Sequence, residues 1–336
     1  MAVRVAINGF GRIGRLVLRA AYEHRHTEID VVGVNDLGSV ETNAHLLRYD
    51  SVHGRFPGEV TTGDNWMDIG RGKIRVTAER DPAKLPWGEL GVDVALECTG
   101  IFTRREAAAK HLEAGARRVL ISAPADGADM TVVMGVNHDE LTPAHKVVSN
   151  ASCTTNCLAP VAYVLHQGIG IERGYMTTIH SYTGDQSLQD TLHSDLRRAR
   201  AASLSLIPTS TGAAKAVGLV LPALKGKLDG TAIRVPTANV SLIDFTFDAA
   251  RGTSSDEVNG LMEDAAKSNR LKGIIGINNA PTVSVDFNHD SHSSTFDVTQ
   301  TQVLDNRFVR ILSWYDNEWG FSNRMVEVAA LFGQMH

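Results

Sequence analysis

Residues 3–14 read VRVAINGFGRIG, and this stretch decides the fold. Its first part, Val3 to Ile7, is a short apolar run rich in β-branched residues, which is typical of a buried strand. Its second part is a complete G-x-G-x-x-G, and apolar residues at helical spacing follow from Ile13 to Tyr22. The stretch therefore predicts a strand, a glycine turn and a helix in immediate succession.

The glycine turn predicts a dinucleotide-binding site, because each glycine meets a separate steric need. Gly9 permits a tight turn, Gly11 lets the backbone approach a pyrophosphate, and Gly14 allows the helix to pack closely on the strand. The backbone amides of Arg12 and Ile13, at the start of the helix, would meet the phosphate charge. The alternative is a glycine-rich turn that binds no ligand.

An acid at the end of the second predicted strand indicates which dinucleotide is bound. The apolar run Ile29 to Val34 is followed by Asn35 and Asp36, and Asp36 lies 22 residues after Gly14. A carboxylate at this place accepts hydrogen bonds from the adenosine ribose hydroxyls and repels a phosphate, which favours NAD over NADP. A solvated acid or a helix cap is the alternative for Asp36.

Apolar runs alternate with helical stretches as far as Cys153. Strands are predicted over Val92 to Glu97, Arg118 to Ser122 and Thr131 to Val136, and a helix is predicted over Arg104 to Ala114. This alternation indicates a parallel sheet covered on both faces. The polar segment Gly54 to Lys73 is expected to interrupt this pattern with antiparallel strands. We expect an α/β fold with a Rossmann-type dinucleotide-binding domain.

After Cys153 the pattern changes to long strands with few crossover helices, which indicates an α+β catalytic domain with a mainly antiparallel sheet. The segment Tyr182 to Ile207 is predicted to be a long ordered loop. The last predicted helix, Ser322 to Leu331, is expected to return to the first domain. We therefore assign residues 1–151 and 318–336 to the NAD-binding domain and residues 152–317 to the catalytic domain. Strands are predicted over Tyr175 to Ser181, Thr231 to Pro236, Ser241 to Phe247, Ser294 to Asp297, Gln302 to Leu304 and Phe308 to Tyr315, and helices over Ser210 to Leu221 and Ser255 to Ser268.

Cys153 is the candidate nucleophile. It stands in the run Ser152 to Cys157, SCTTNC, where small hydroxyl residues leave room for a substrate and where a helix is predicted to begin. A helix N-terminus or a nearby imidazole gives a thiol the thiolate character that nucleophilic attack needs. A nucleophilic thiol and a redox cofactor in one chain indicate that sulfur captures a carbonyl and the cofactor takes its hydride.

His180 is the candidate imidazole. It ends the apolar strand that begins at Tyr175, and strand ends are where α/β proteins display functional groups. The alternative is a histidine that is buried with its hydrogen bonds satisfied, or one that is simply exposed.

Three further features suit an anionic substrate. The predicted loop contains Arg197, Arg198 and Arg200, and a guanidinium pairs bidentately with phosphate, although two of these three are expected to be solvated or at a subunit contact. The run Thr209 to Gly212 precedes a predicted helix, whose first amides form an anion cradle. Arg234 is a charge in an otherwise apolar strand and needs a partner. The alternatives are a solvated or subunit-contact arginine, a helix N-cap and a buried ion pair.

The composition is that of an ordinary globular protein, with 43% hydrophobic and 21% charged residues. A net charge of -5 gives no electrostatic case for binding nucleic acid or a membrane, and no apolar run is long enough to cross a bilayer. The three cysteines and the N-terminus without an export signal favour free thiols in the cytoplasm. Cys153 and Cys157 have no neighbouring ligand pair, so we expect no metal site.

Six motifs together resemble the glyceraldehyde-3-phosphate dehydrogenase family, of the phosphorylating, NAD-linked kind. The resemblance covers essentially the whole chain. It implies oxidation of D-glyceraldehyde 3-phosphate to 1,3-bisphosphoglycerate with NAD and inorganic phosphate, in a homotetramer. The motifs are Ile7–Arg15 (INGFGRIGR), Tyr49–Gly54 (YDSVHG), Ser149–Cys157 (SNASCTTNC), Leu196–Arg200 (LRRAR), Ile207–Lys215 (IPTSTGAAK) and Trp314–Gly320 (WYDNEWG).

The resemblance also implies a role for each matched residue. Cys153 would form the thiohemiacetal and the thioester, His180 would activate it and act as the base, and Asn317 would hold the nicotinamide carboxamide. Thr183 and Arg234 would bind the substrate phosphate. The rest of NAD would contact Arg12, Ile13, Asp36, Arg80 and Ser122. The inorganic phosphate or the substrate would be surrounded by Ser152, Thr154, Arg198, Thr211 and Gly212.

Some positions depart from the commonest bacterial pattern of the family. Thr191 and Leu192 stand where many of its NAD enzymes have Leu-Pro, near the adenosine ribose, and Phe321 replaces a frequent tyrosine. The stretch Asp286 to Asp290 also resembles the related erythrose-4-phosphate dehydrogenase, which is the alternative activity. The anion motifs, such as Ser181 to Asp185, favour the three-carbon substrate.

Two hypotheses come from other classes of protein. One is an RNA- or protein-binding role for the dinucleotide cleft, and the absence of a basic patch with interleaved aromatic residues argues against it. The other is a reductive, NADP-using semialdehyde dehydrogenase, which also uses a cysteine and a histidine. The predicted arginine and threonine anion sites argue against that enzyme.

Overall fold

The computed structural model describes residues 2–24 and 26–335 of the 336-residue chain. These residues form two compact units, and each is described separately below. Over the same two ranges, no helix combines the length and the apolar character that a bilayer-spanning segment needs.

Each unit contains more than one stretch of the chain. The first unit comprises the chain up to Val132, the stretch His138–Ala151 and the chain from Ser322 onward. The second unit comprises Val133–Asn137 and Ser152–Phe321.

The first unit is built on a nine-stranded, mostly parallel sheet. Its strands run in the order β10-β11-β9-β8-β1-β2-β7-β6-β5, and a separate pair is formed by β3 and β4. The strands are β1 (Val3–Asn8), β2 (Ile29–Asn35), β3 (Tyr49–Asp50), β4 (Gly54–Arg55), β5 (Thr61–Gly63), β6 (Trp66–Asp68), β7 (Lys73–Thr77), β8 (Val94–Glu97), β9 (Arg118–Ile121), β10 (Met130–Thr131) and β11 (Val147–Ser149). The helices are α1 (Arg12–Glu23), α2 (Val40–Arg48), α3 (Arg105–Ala108) and α4 (Lys110–Glu113).

Burial of the central strands explains the parallel core of this sheet. In β1, β8 and β9 almost every residue is buried, so apolar side chains face helices or loops on both sides of the sheet. The only antiparallel pairings of this sheet within the described chain join β5, β6 and β7 at one edge. The predicted parallel sheet and the antiparallel strands that interrupt it are confirmed.

The second unit is built on an eight-stranded, mainly antiparallel sheet. Seven strands run in the order β13-β14-β12-β15-β19-β17-β16, and the eighth, β18, pairs with β19. The strands are β12 (Ile171–Ser181), β13 (Ile207–Ser210), β14 (Leu228–Val235), β15 (Ser241–Ala249), β16 (Ile275–Asn278), β17 (Ser294–Asp297), β18 (Gln302–Leu304) and β19 (Phe308–Tyr315). The helices are α5 (Cys153–Ile169), α6 (Ala213–Val220) and α7 (Ser255–Lys267). The helix α8 (Trp319–Gly333) begins in this unit and contributes its residues from Ser322 onward to the first unit.

One face of this second sheet forms the core of the unit. Along β15, buried residues alternate regularly with partly exposed ones, as a strand with a single buried face requires. Phe245 and Phe247 are fully buried on that face, and their rings stack with centroids 5.1 Å apart. The predicted fold class, an α/β dinucleotide-binding domain with an α+β domain that has a mainly antiparallel sheet, is confirmed.

The long, mostly buried helix α5 brings Cys153 to its start. Ser152 is the N-cap, and its hydroxyl accepts a hydrogen bond from the amide of Thr155. The residues after Cys153 are almost all buried. The cap fixes where the helix begins and therefore places the sulfur at its N-terminal end.

Some of the predicted helix boundaries were wrong. The helix predicted over Arg104 to Ala114 is interrupted at Ala109 and forms α3 and α4. Ser210 belongs to strand β13 instead of the following helix, because that strand pairs with β14 up to this residue. Short 3₁₀ helices, which were not predicted, occupy Pro82–Lys84, His138–Glu140, Pro222–Leu224, Ser284–Phe287 and Val298–Gln300.

The strand predicted over Thr131 to Val136 was also wrong beyond Thr131. The chain turns there, because the Asn137 side chain accepts a hydrogen bond from the amide of Val133 at 2.9 Å. Gly135 takes a positive φ of 83° within this turn. The Arg270 guanidinium donates to the carbonyl of Gly135 at 2.7 Å and holds the turn in place. The apolar pattern alone contains no sign of this distant partner.

The close packing of helix α1 on strand β1 is tested by replacing Gly14 with alanine, which adds a single methyl group. A Cβ at Gly14 would lie 2.1 Å from the carbonyl oxygen of Gly9. We expect Gly14→Ala to lower the free energy of unfolding by about 2 kcal/mol or more, because helix and strand must separate. Gly260→Ala is the control, since nothing lies within 4 Å of a Cβ at that helical position. It should be neutral or stabilise by up to about 1 kcal/mol. Equal denaturation midpoints for the two variants would contradict this account.

Candidate active site

A cleft lies at the carboxyl ends of the parallel strands in the first unit. Its volume is about 350 Å³, and this is the edge of a parallel sheet at which ligands bind. Gly9, Gly11, Asp36 and Arg80, four of the residues predicted to bind the cofactor, line it. The other lining residues are Asn8, Asn35, Leu37, Glu79, Cys98, Thr99, Ile101 and Phe102.

The glycine turn at the cleft has the geometry that a pyrophosphate needs. Gly9 has a φ of 90°, and a Cβ there would lie 2.7 Å from the amide nitrogen of Thr99. Gly11 is the N-cap of α1 and has open space where a Cβ would be. No side chain caps this helix start, and the N-terminus of a helix favours an anion. The cradle therefore fits a dinucleotide phosphate.

Asp36 keeps acceptor capacity toward the cleft. Its Oδ2 accepts from the amide of Phe10 at 2.8 Å, and its Oδ1 accepts from the amide of Gly38 at 3.1 Å. Each carboxylate oxygen can accept more than one hydrogen bond, so the group still has room for ribose hydroxyls.

Two other predicted cofactor residues have different surroundings. The Arg12 guanidinium pairs with Asp50, at 2.6 and 3.2 Å. Ser122 follows β9, and its amide donates to the carbonyl of Glu97. It is not among the residues that line the cleft.

In the second unit, Cys153 and His180 are in contact. The Cys153 Sγ lies 3.6 Å from His180 Nε2, although 27 residues separate the two in sequence. Cys153 begins α5, and His180 is the next-to-last residue of β12. The fold therefore brings together the thiol and the imidazole that were predicted separately.

The hydrogen bonds of His180 decide which ring nitrogen faces the sulfur. His180 Nδ1 lies 2.7 Å from the carbonyl oxygen of Ser181, and this short contact is assigned as donation from Nδ1–H. The lone pair is then on Nε2, toward Cys153. Arg234 Nη1, which lies 3.0 Å from Nδ1, has the Ser181 carbonyl as its own acceptor at 2.9 Å. The ring is therefore oriented as a base.

Burial and a neighbouring cation set the charges of this pair. Burial raises the pKa of the Cys153 thiol, whereas the charge of Arg234 and hydrogen bonds with Thr154 lower it. Burial lowers the pKa of His180 to about 3, and the charge of Arg234 acts in the same direction. The imidazole is therefore neutral at neutral pH, which is the state that can accept the proton of the thiol.

A network of charged and hydroxyl side chains lies beside Cys153 and His180. Arg234 Nη1 donates to the Thr183 hydroxyl at 3.0 Å, and that hydroxyl donates to Asp185. Asp185 also accepts from Arg198 at 3.1 Å. Thr183, Arg198 and Arg234, which were predicted as anion-binding residues, therefore belong to one connected network with His180.

The starts of two helices also meet in this unit. The Thr155 hydroxyl, in the first turn of α5, contacts the carbonyl of Ala213, the first residue of α6, at 3.4 Å. Gly212 is the N-cap of α6 and has no capping side chain, and Thr211 precedes it. Two helix N-termini at one place favour bound anions.

Sequence reasoning missed several hydroxyl groups around these residues. The Tyr315 hydroxyl is buried between the hydroxyls of Thr154, at 2.9 Å, and Thr178, at 2.8 Å. The Asn317 Oδ1 accepts from the hydroxyls of Ser181 and Ser241. The motif Trp314–Gly320 contained Tyr315 and Asn317, but no local pattern indicated their partners.

Comparison with known proteins covers the whole chain. A relative from Cereibacter sphaeroides, named glyceraldehyde-3-phosphate dehydrogenase, is 67% identical over 335 residues, which is 100% of both chains. The chain belongs to the glyceraldehyde-3-phosphate dehydrogenase family. Relatives of the same name from Xanthobacter flavus and Geobacillus stearothermophilus are 67% and 57% identical, over 100% and 98% of both chains.

The two domain descriptions of the family match separate parts of the chain. Residues 3–105 match its NAD binding domain, and residues 152–317 match its C-terminal domain. The predicted family is confirmed, and so is NAD as the cofactor. The cleft at the glycine turn lies within the matched NAD-binding segment, and Cys153, His180, Arg198 and Arg234 lie within the C-terminal one.

Replacement of the imidazole tests the contact with Cys153. In His180→Asn, the thiol must lose its proton to solvent, and burial holds its pKa above the ordinary value. The thiolate fraction then falls about tenfold for each pH unit below that pKa, so alkylation by iodoacetamide at neutral pH should slow by about tenfold or more. Turnover should fall by about a hundredfold or more, as expected when a positioned base is lost.

The control for this variant is His45→Asn, at an exposed position on α2 in the other unit. It should alkylate at the wild-type rate. If His180→Asn also alkylated at the wild-type rate across the pH range, His180 would have no part in activating the thiol.

Proposed function

We propose that this chain catalyses the oxidative phosphorylation of D-glyceraldehyde 3-phosphate to 1,3-bisphosphoglycerate with NAD and inorganic phosphate. The observation that carries the proposal is the contact of Cys153 Sγ with His180 Nε2 at 3.6 Å, at the start of α5 and beside Arg234. A poised thiol and base next to a cation suit covalent capture of an aldehyde that carries a phosphate.

The first step is addition of the Cys153 sulfur to the aldehyde carbon. His180 takes the thiol proton through Nε2 and gives it to the aldehyde oxygen as the sulfur adds to the carbon, which forms a thiohemiacetal and leaves the imidazole neutral again. His180, as the base, then removes the proton of the new hydroxyl group as the carbon is oxidised. NAD, when bound, accepts the hydride, and the carbon becomes a thioester of Cys153.

The second step is attack of inorganic phosphate on the thioester. The carbon–sulfur bond breaks, the acyl phosphate leaves, and Cys153 is released as a thiolate, which takes back the proton that His180 acquired during the oxidation. The developing oxyanion is assigned to the Cys153 backbone amide and His180, because preorganised donors at such a position lower the barrier.

Two groups of residues are assigned to the two phosphates. Thr183 and Arg234 would hold the phosphate of the substrate, and their direct hydrogen bond to each other supports this pairing. The inorganic phosphate is assigned to Ser152, Thr154, Arg198, Thr211 and Gly212. The convergence of the N-termini of α5 and α6 supports this second assignment.

NAD is assigned to residues of both segments that match the family. Gly9, Gly11 and Gly14 would shape the turn for the pyrophosphate. Asn317 would receive the nicotinamide carboxamide. The remaining contacts would come from Arg12, Ile13, Asp36, Arg80 and Ser122. On this assignment, residues 1–151 and 318–336 form the NAD-binding domain and residues 152–317 the catalytic domain.

A homotetramer in the cytoplasm is part of the proposal. Leu188, Leu192 and Leu196, on the loop between β12 and β13, expose 78%, 100% and 82% of their surface in the single chain. Exposed apolar groups clustered on one loop suit a contact with another subunit. All three cysteines of the chain are free, which suits a reducing compartment.

The proposed covalent mechanism is tested by replacing the nucleophile. Cys153→Ser should form no NADH from the aldehyde, NAD and phosphate, because a serine hydroxyl has no comparable anion at neutral pH. Its affinity for NAD should stay near the wild-type value. Cys157→Ser is the matched control: that thiol is buried one turn further along α5 and contacts the Ser294 hydroxyl at 3.2 Å, which a serine can also do.

The control should keep most of the activity. If Cys153→Ser retained more than a few per cent of wild-type turnover, the covalent mechanism would be wrong. The same absorbance assay with the four-carbon aldehyde phosphate should give a lower kcat/KM than the three-carbon one. A higher value would instead favour the erythrose-4-phosphate activity.

A further inference from the structure

Two serines hold the carbonyl end of the Asn317 amide. Asn317 Oδ1 accepts from the Ser181 hydroxyl at 2.8 Å and from the Ser241 hydroxyl at 2.9 Å. All three residues belong to the second unit, and all three are buried. The proposed mechanism gives a role to Asn317 but none to either serine.

Hydrogen-bond direction identifies which atom of the amide the serines touch. Ser241 Oγ accepts from the Ser181 amide at 3.1 Å, so its hydroxyl hydrogen is free to donate elsewhere. Its acceptors are Asn317 Oδ1 at 2.9 Å and, at the longer distance of 3.4 Å, Ser181 Oγ. The atom of Asn317 at this place is assigned as the oxygen, which accepts from both hydroxyls.

The sheet itself places the three side chains together. Ser181 is the last residue of β12, Ser241 is the first residue of β15, and Asn317 follows β19 by two positions. These strands are neighbours, with β15 between the other two, and Ser241 pairs directly with Tyr315. The two hydroxyls are therefore held by the sheet, and rotation of the amide would break the hydrogen bonds of both hydroxyls to Asn317 Oδ1.

We propose that Ser181 and Ser241 are positioning residues that lock the Asn317 amide with its NH₂ group toward the nicotinamide carboxamide. This inference rests on the proposed function. A locked NH₂ offers only donors, so the carboxamide can meet it only through its carbonyl oxygen. Half a turn of the nicotinamide about its bond to ribose would move that oxygen to the opposite side and present the opposite ring face. The two serines thus select the ring face that receives the hydride.

The same residue links the two parts of the site. Ser181 accepts from His180 Nδ1 with its backbone carbonyl and donates to Asn317 with its hydroxyl. One residue at the end of β12 therefore orients both the base and the amide. Removal of the hydroxyl leaves the backbone carbonyl in place, so the two roles can be separated by mutation.

The test compares ligand binding by the full-length Ser181→Ala/Ser241→Ala double variant and by the wild type. By titration calorimetry, we expect the affinity for NAD to fall by about tenfold, the loss typical of one disrupted hydrogen bond. The affinity for ADP-ribose, which has no nicotinamide, should not change. Ser313→Ala is the control, because that buried hydroxyl contacts Ser294 and not Asn317. It should leave both affinities at their wild-type values.

A second readout is the stereochemistry of the reduced cofactor. With NAD deuterated at C4, the wild type should produce a single diastereomer of NADH, as seen by proton NMR. The double variant should produce a mixture, which a general loss of stability does not cause.

A third readout tests whether the two serines act through the Asn317 amide. In an Asn317→Ala background, the two serine changes should cause no further loss of NAD affinity. Equal losses for NAD and ADP-ribose, or the same loss with and without Asn317, would overturn the proposal. Failure of the wild type to form NADH from the aldehyde would instead overturn the proposed function. The comparison of NAD and ADP-ribose affinities would still test whether the two serines position Asn317.

Discussion

The chemistry of this protein depends on one contact, between Cys153 Sγ and His180 Nε2. Both partners are held by the backbone: Ser152 caps the helix that begins at Cys153, and the Ser181 carbonyl holds the ring of His180. Burial lowers the pKa of His180 to about 3, so the imidazole is neutral and carries no proton on the Nε2 that faces the thiol. The second unit can be understood as a scaffold that keeps this distance short.

A single cation serves several purposes around this contact. Arg234 favours negative charge on the sulfur, disfavours positive charge on the ring and donates to Thr183. A phosphate bound there would be held by the same guanidinium that sets the charges of the reacting pair. These contacts give the Arg234 charge, which would be costly if it were buried without a partner, acceptors within the site.

The sequence predicted the features whose causes are local. The strand, the glycine pattern and the helical spacing all lie within residues 3–22, and Gly14 meets the carbonyl of Gly9 only five residues away, so the dinucleotide turn and the helix after it were found correctly. The partners of His180 and Asn317 could not be derived in this way, because Arg234, Ser181 and Ser241 reach them through the register of the sheet. The strand wrongly extended beyond Thr131 is explained in part in the same way: the turn there is held by the nearby Asn137 side chain and by a distant one, that of Arg270.

The most direct test of the account is to trap the intermediate on sulfur. Protein incubated with the aldehyde and NAD, with phosphate withheld, should form about one NADH per chain and carry an acyl group on the Cys153 peptide, detected by mass spectrometry. Addition of phosphate should release that group. Formation of NADH with no acyl group on Cys153, or with the group on Cys98 or Cys157, would contradict the central role of the contact between thiol and imidazole.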